Sequence, residues 1–150
     1  MSNSYEQLKL EHQLCFTIYA ASREITKVYK PLLEQLHVTY PQYLALLVLW
    51  EEREVSVKQL GERLYLDSGT LTPMLKRMEQ QGLLTRQRSL ADERVVTVRL
   101  TQNGEQLKDQ ACQIPNAVFS MSNQSPEQLS QLKQTLNELL KALHSYNTAK

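Results

Sequence analysis

Turn-forming residues are scarce in this chain, with four glycines and five prolines among 150 residues. That poverty excludes a loop-rich or many-stranded fold and favours a few long helices. Cysteine is scarcer still. Two cysteines far apart in sequence do not make a disulfide scaffold, so a reducing cytoplasm is the expected compartment. No apolar run approaches the roughly 20 residues that a helix needs to cross a bilayer. The opening MSNSYEQLKLE has no basic segment followed by an apolar one, so no signal peptide is expected. Charge of one sign is not in excess either, since the net charge is +1.

What is present is ordinary in amount and uneven in placement. A hydrophobic fraction of 41% and a charged fraction of 22% describe a soluble globular protein. Without an internal repeat or a long linker, residues 1–150 read as a single domain. From Lys76 to Arg99 six basic residues (Lys76, Arg77, Arg86, Arg88, Arg94, Arg99) face three acidic ones (Glu79, Asp92, Glu93). That segment carries +3, and the remainder therefore −2. Such a run is commonly a solvated face, so its meaning depends on the elements that carry it.

Periodicity supplies those elements. From Tyr5 to about Lys30, Leu8, Cys15, Ile18, Ile25 and Tyr29 recur at helical spacings. Leu14, Ala21 and Val28 widen the stripe, as though this helix met more than its own core. Pro31 punctuates it, and LLEQLHV reads as a short helix of its own. Thr39 caps a new helix with Pro41 in its first turn, and YLALLVLWEE, apolar nearly all round, is expected to be central and buried. VSVKQLGERLYL follows as a short helix, then a tight DSG turn. The helix TLTPMLKRMEQQ should start near Ser68 to Thr70 and end at Gly82, a left-handed cap. LLTRQRS and RVVTVRL then alternate with a period of two, and the polar LADE between them is a hairpin tip. Thr101 caps a segment reaching Cys112, and IPNAVFSMSNQ looks less regular. Ser125, Pro126 and Gln128 start a last helix, amphipathic through Leu129, Leu132, Leu136, Leu139, Leu140 and Leu143.

Helix, tight turn, helix, then a two-stranded hairpin with a basic tip is the order of a winged helix-turn-helix. The fold class expected is mainly α with a small β-hairpin wing. Such a second helix enters the DNA major groove with its N-terminal residues at base edges. Ser68, Thr70 and Thr72 stand at that end, with Lys76, Arg77 and Gln81 further along to meet backbone or bases. Arg86 adds positive charge at the wing. Arg94 at the tip suits the neighbouring minor groove, and Asp92 is placed to hold it extended by a charge-assisted bond. Solvated charges on an ordinary helix–hairpin connection remain an alternative.

The stretch DSGTLTPMLKRMEQQGLLTRQRSLADERVVTVRLTQNG resembles the recognition helix and wing of the MarR family of bacterial repressors. Asp92 and Arg94 match its wing-tip pattern, and Leu100, Thr101 and Gly104 match the segment after it. LCFTIYAASRE with YKPLL, TYPQYLALLVLWE and LDSGTLTPMLKRME is similar, more narrowly, to the organic hydroperoxide resistance repressors. The likeness covers nearly the whole chain and is weakest after Cys112. It implies a cytoplasmic homodimer that represses transcription at an inverted-repeat operator, with no cofactor and no enzymatic turnover. Residues 5–36 and 126–146 would form the dimerisation helices and residues 39–104 the DNA-binding part.

The resemblance also implies a role for Cys15, the peroxide-sensing thiol. Its oxidation by an organic hydroperoxide would release the operator, with a low-molecular-weight thiol as a possible partner for the oxidised sulfur. The periodicity puts Cys15 mid-helix, away from any helix N-terminus, and hydrogen bonds to the anion can favour its thiolate instead. Tyr19 lies one turn away, and the resemblance adds Tyr29 and Tyr40, reaching over from the opposite subunit. Phe16, Ile18 and Trp50 suggest an apolar neighbourhood. Cys112 is read as a bystander, and Tyr5, Tyr43, Tyr65 and Tyr146 as packing or surface residues. His12 and Cys15 share a helix face, but four metal ligands are not in sight and no metal is expected. A repressor released by a small aromatic ligand, or a helical interaction module that does not touch DNA, are the competing readings.

Overall fold

The computed structural model describes residues 5–150, which form two compact units, one running to Ile114 and the other from Pro115. The first unit opens on two short 3-10 turns, Glu6–Leu8 and Leu10–His12, and only then on helix α1, Leu14–Glu34. The expected helix from Tyr5 therefore starts nine residues late. Local side-chain bonds explain the delay. The His12 ring bonds the Glu6 carbonyl at 2.9 Å, and Gln13, in extended conformation, donates back to the Gln7 and Lys9 carbonyls. These bonds close tight turns that a continuous helix would open.

At its other end α1 runs through Pro31 instead of stopping there. Proline inside a helix costs about 3 kcal/mol. Burial of Leu33, Leu36 and Val38 immediately after it offsets that cost. LLEQLHV is thus no separate helix; its first residues finish α1 and the rest is a turn with His37 at φ 57°.

Helix α2, Tyr40–Glu52, starts on a full capping box between Thr39 and Gln42, with Pro41 in its first turn. Tyr43, Ala45, Leu46, Val48, Leu49 and Trp50 are all buried, so it is the central helix expected. Strand β1, Glu54–Ser56, was hidden in what reads as the start of the next helix. It pairs antiparallel with β3, Val96–Leu100, which also pairs with β2, Leu84–Arg88, giving the order β1-β3-β2. The wing therefore rests on three strands, not two.

Helices α3, Val57–Leu64, and α4, Ser68–Gln80, form the helix-turn-helix. Between them Tyr65 adopts the left-handed conformation at φ 57°. A side chain at Gly61 would stand 2.6 Å from the Leu66 carbonyl oxygen, so the close turn requires glycine there. Asp67 caps α4 by accepting from the Thr70 N–H at 2.7 Å, which fixes the start within the expected residues. Gly82, at φ 79°, ends it: its N–H reaches the Glu79 carbonyl and that of Leu83 reaches Met78. That pair of bonds is a Schellman motif.

Helix α5, Gln102–Ala111, docks onto this end. The Thr101 hydroxyl accepts from the Gly104 N–H and donates to the Gly82 carbonyl at 2.6 Å. From the other side the buried Trp50 Nε1–H donates to the Gly104 carbonyl at 2.9 Å. Trp50→Phe removes that donor and leaves unfilled space beside it. It should cost about 2 kcal/mol of stability, read as a lowered urea midpoint by circular dichroism.

The second unit contains most of α6, Ile114–Ser120, and all of α7, Pro126–Thr148. The connection expected to be irregular is therefore partly helical, with Pro115 accommodated in the first turn of α6. Helix α7 begins on the Ser125–Gln128 capping box. None of its residues is buried within the chain, and Leu132, Leu136, Leu140 and Leu143 lie exposed along one stripe. No described helix is long and apolar enough to cross a membrane.

Candidate functional site

Two groups of residues stand apart from the core. The first lies on α4 and the wing. Ser68, Thr70, Thr72, Lys76 and Arg77 are all exposed on α4. The Thr72 hydroxyl donates to the Ser68 carbonyl at 2.8 Å and keeps its oxygen as an acceptor. Thr70 gives its N–H to Asp67, and that bond holds the Asp67 carboxyl below the usual carboxylate range.

Gln81 and Arg86, read from the sequence as contacts for DNA, are engaged within the protein. The Gln81 amide donates to the His37 carbonyl at 3.1 Å, tying the end of α4 to the turn after α1. Glu79 accepts from the Arg86 backbone N–H at 2.9 Å and from its guanidinium at 3.2 Å. The backbone bond and then the guanidinium lower the Glu79 carboxyl from its ordinary value. This pair clamps β2 to α4 and sets the angle between helix and wing.

Arg94 behaves differently, with its side chain 90% exposed. Asp92 accepts from its backbone N–H at 3.0 Å and from Nε at 3.2 Å, a charge-assisted bond between the two. The same bonds hold the Asp92 carboxyl low. Arg88 also helps shape the tip, donating to the Glu93 carbonyl at 2.9 Å.

The second group is the thiol and the tyrosines. Cys15 is the second residue of α1, not mid-helix, and its thiol is free and exposed. Gln13 makes no side-chain cap, so the N–H groups of the first turn are not covered by it. Tyr19, one turn on, is exposed, with the Arg23 guanidinium 5.5 Å from its ring centre. Phe16 is exposed and Ile18 half-buried, whereas Trp50 is buried against Tyr43.

Tyr29 and Tyr40 come together with ring centres 4.8 Å apart. Tyr43, read as a packing residue, completes the cluster at 5.7 Å from Tyr29 and 6.3 Å from Trp50. Burial, with smaller contributions from Tyr40 and Tyr43, pushes the Tyr29 hydroxyl up to about 12. Burial raises Tyr40 and Tyr43 too, so all three remain protonated donors across the neutral range. Cys15 and Tyr29 sit on the same helix 14 residues apart, about 21 Å along its axis. One chain alone does not bring them together. Cys112, the C-cap of α5, is exposed and gives its thiol proton to the Asp109 carbonyl at 3.0 Å.

A helix-turn-helix with its second helix and a basic wing tip turned outward defines a winged-helix transcriptional regulator. The family profile for the transcriptional regulators SarA/Rot matches residues 27–111. The organic hydroperoxide resistance transcriptional regulator of Bacillus subtilis is 60% identical over 98% of this chain and 100% of its own length. Reduced AbfR bound to DNA is 39% identical, with a TM-score of 0.79 over 93% of this chain and 96% of that one. Disulfide-formed AbfR, at 41% identity, has a TM-score of only 0.63 over 90% and 95%. The chain belongs to the MarR family of transcriptional regulators, in its organic hydroperoxide resistance type.

Proposed function

We propose that this protein is a homodimeric repressor that leaves its operator when an organic hydroperoxide oxidises Cys15. The observation that carries the reading is an exposed thiol at the start of α1 and, toward its other end, the half-buried Tyr29 packed on Tyr40 of α2. Two such helices crossing antiparallel in a dimer set each Cys15 against the Tyr29 and Tyr40 of the partner subunit. The exposed apolar residues of α1 (Leu14, Phe16, Ile25) and the leucine stripe of α7 supply surface for that association.

The chemistry then balances simply. The Cys15 thiolate attacks one peroxide oxygen, the O–O bond breaks, and the other oxygen leaves as alkoxide and takes a proton to become an alcohol. The sulfur becomes a sulfenic acid, which condenses with a small cellular thiol to a disulfide and water. The negative charge bonded by the tyrosines is lost and bulk is added at the interface. Recognition helices must sit about one DNA turn apart, roughly 34 Å, so a modest splay ends binding to an inverted repeat. The thiol is consumed as a signal, not turned over, and the protein acts in the cytoplasm without a cofactor. On the DNA, Ser68, Thr70, Thr72, Lys76 and Arg77 face the major groove and Arg94, held by Asp92, the minor groove. Gln81 and Arg86 set the helix and wing in place and contribute from the edge of that surface.

In support, this chain matches reduced AbfR on DNA with a TM-score of 0.79 and disulfide-formed AbfR with one of 0.63, at nearly equal identity. The test compares wild type with Cys15→Ser, each with and without cumene hydroperoxide, on a duplex carrying an inverted repeat. Wild type should lose at least about 100-fold in affinity on oxidation, and the serine variant should stay bound. Equal release by both would move the signal elsewhere, toward a bound aromatic ligand. No binding by either, at any salt, would favour an interaction module.

A further inference from the structure

The wing tip carries a leucine where a turn has no use for one. Leu90 is 99% exposed, so it contributes no packing to the fold. Its exposure is not that of a loose loop. The Ser89 N–H donates to the Val95 carbonyl at 2.8 Å and the Val95 N–H to the Asp92 carbonyl at 3.0 Å. The Ser89 hydroxyl accepts from the N–H groups of Ala91 and Asp92. Arg88 and Asp92 add the bonds to Glu93 and Arg94 already described. The tip is thus pinned on both sides of Leu90, and the side chain is held out into solvent. Turns of this kind are filled more easily by Asn, Asp, Gly or Ser.

We propose that Leu90 is a DNA-contacting residue, packing its isobutyl group against the sugar walls of the minor groove that Arg94 enters. The inference rests on the DNA-binding reading above and deepens it. The chemistry of the groove suits both residues. Its floor and phosphates attract the guanidinium, most strongly where the groove is narrow. Its walls are deoxyribose C–H surface, which an aliphatic side chain desolvates, and leucine is among the residues that proteins place in minor grooves. Arg94 supplies attraction that depends on salt, and Leu90 supplies contact that does not. Because the tip is fixed before binding, little conformational entropy is lost when it docks.

The experiment uses the full chain and a duplex selected by the wild-type protein from a randomised pool, titrated at several salt concentrations. Leu90→Ala should weaken binding about tenfold, with two wings contributing per dimer, and leave the salt dependence unchanged. Leu90→Met should recover most of that loss. Arg94→Ala should instead make the salt dependence shallower by about two units per dimer. Affinity of Leu90→Ala within twofold of wild type overturns the proposal. So does a loss accompanied by the shallower salt slope, which would mean that Arg94 had been displaced. If wild type selects no duplex, the DNA reading falls and this contact with it; failure of the leucine arm alone leaves that reading standing.

Discussion

Gly104→Ala is expected to destabilise the protein by about 3 kcal/mol, at the upper end of what an overpacked methyl group costs. The added Cβ would overlap the Leu83 carbonyl oxygen and stand 2.6 Å from the Leu100 Cδ1. The Leu83 carbonyl is backbone and cannot yield easily. The Leu83 carbonyl already accepts from the Thr101 N–H at 3.1 Å, and Leu83 itself is held by the end of α4. Leu100 belongs to β3, paired to Leu84 across the sheet. Relief therefore requires α5 to lift from the base of the recognition helix, which also breaks the Trp50 bond to Gly104. The measurement is the urea midpoint, with Gly69→Ala as control. A Cβ at Gly69 meets only the Asp67 carboxylate, at 3.2 Å on an exposed first turn, so that change should stay within about 0.5 kcal/mol. Equal midpoints for both variants would show that the close approach at Gly104 carries no energy.

The contrast between those two glycines marks what can be read from the chain and what cannot. Thr39 with Pro41, Ser125 with Gln128 and Gly82 after Gln81 announce helix ends because the chemistry is local, and the structure has each of them in place. The recognition helix and wing are legible for the same reason. Strand β1 is not, because three residues are too few to show a period, and its partner lies more than 40 residues away in β3. Gln13 hid the start of α1. Glutamine is no usual cap, and the apolar spacing of Leu8 and Cys15 continues through the 3-10 turns as if they were helix. Arg86 illustrates the remaining gap. Composition places it among basic residues, but only the fold shows that Glu79 holds it, so charge on a wing is not charge free for a ligand. Tyr43 carried a faint signal, three residues after Tyr40 on α2 and so on its face of the helix.

Replacing Tyr29 and Tyr40 together by phenylalanine should slow the oxidation of Cys15 by an organic hydroperoxide about 100-fold. Each hydroxyl bonded to an anion contributes roughly 1.5–3 kcal/mol, and about 1.4 kcal/mol is a factor of ten. Loss of two such bonds predicts at least that slowing. The rings remain, so the 4.8 Å packing and the affinity of the reduced protein for DNA should change little. The double variant is best measured by stopped-flow consumption of the thiol, because its rate separates activation of the thiol from DNA release. Mixing decides whether the tyrosines act within a chain or across the dimer. Cys15→Ser keeps its tyrosines but has no sensing thiol at position 15, and the double variant has Cys15 without Tyr29 and Tyr40 hydroxyls. After subunit exchange, a mixed dimer with contacts across the interface regains one fast site, the double variant's Cys15 facing the intact tyrosines. Contacts within one chain would regain none. The 14-residue separation of Cys15 and Tyr29 along the helix favours the first outcome, since no bend of α1 brings its two ends together.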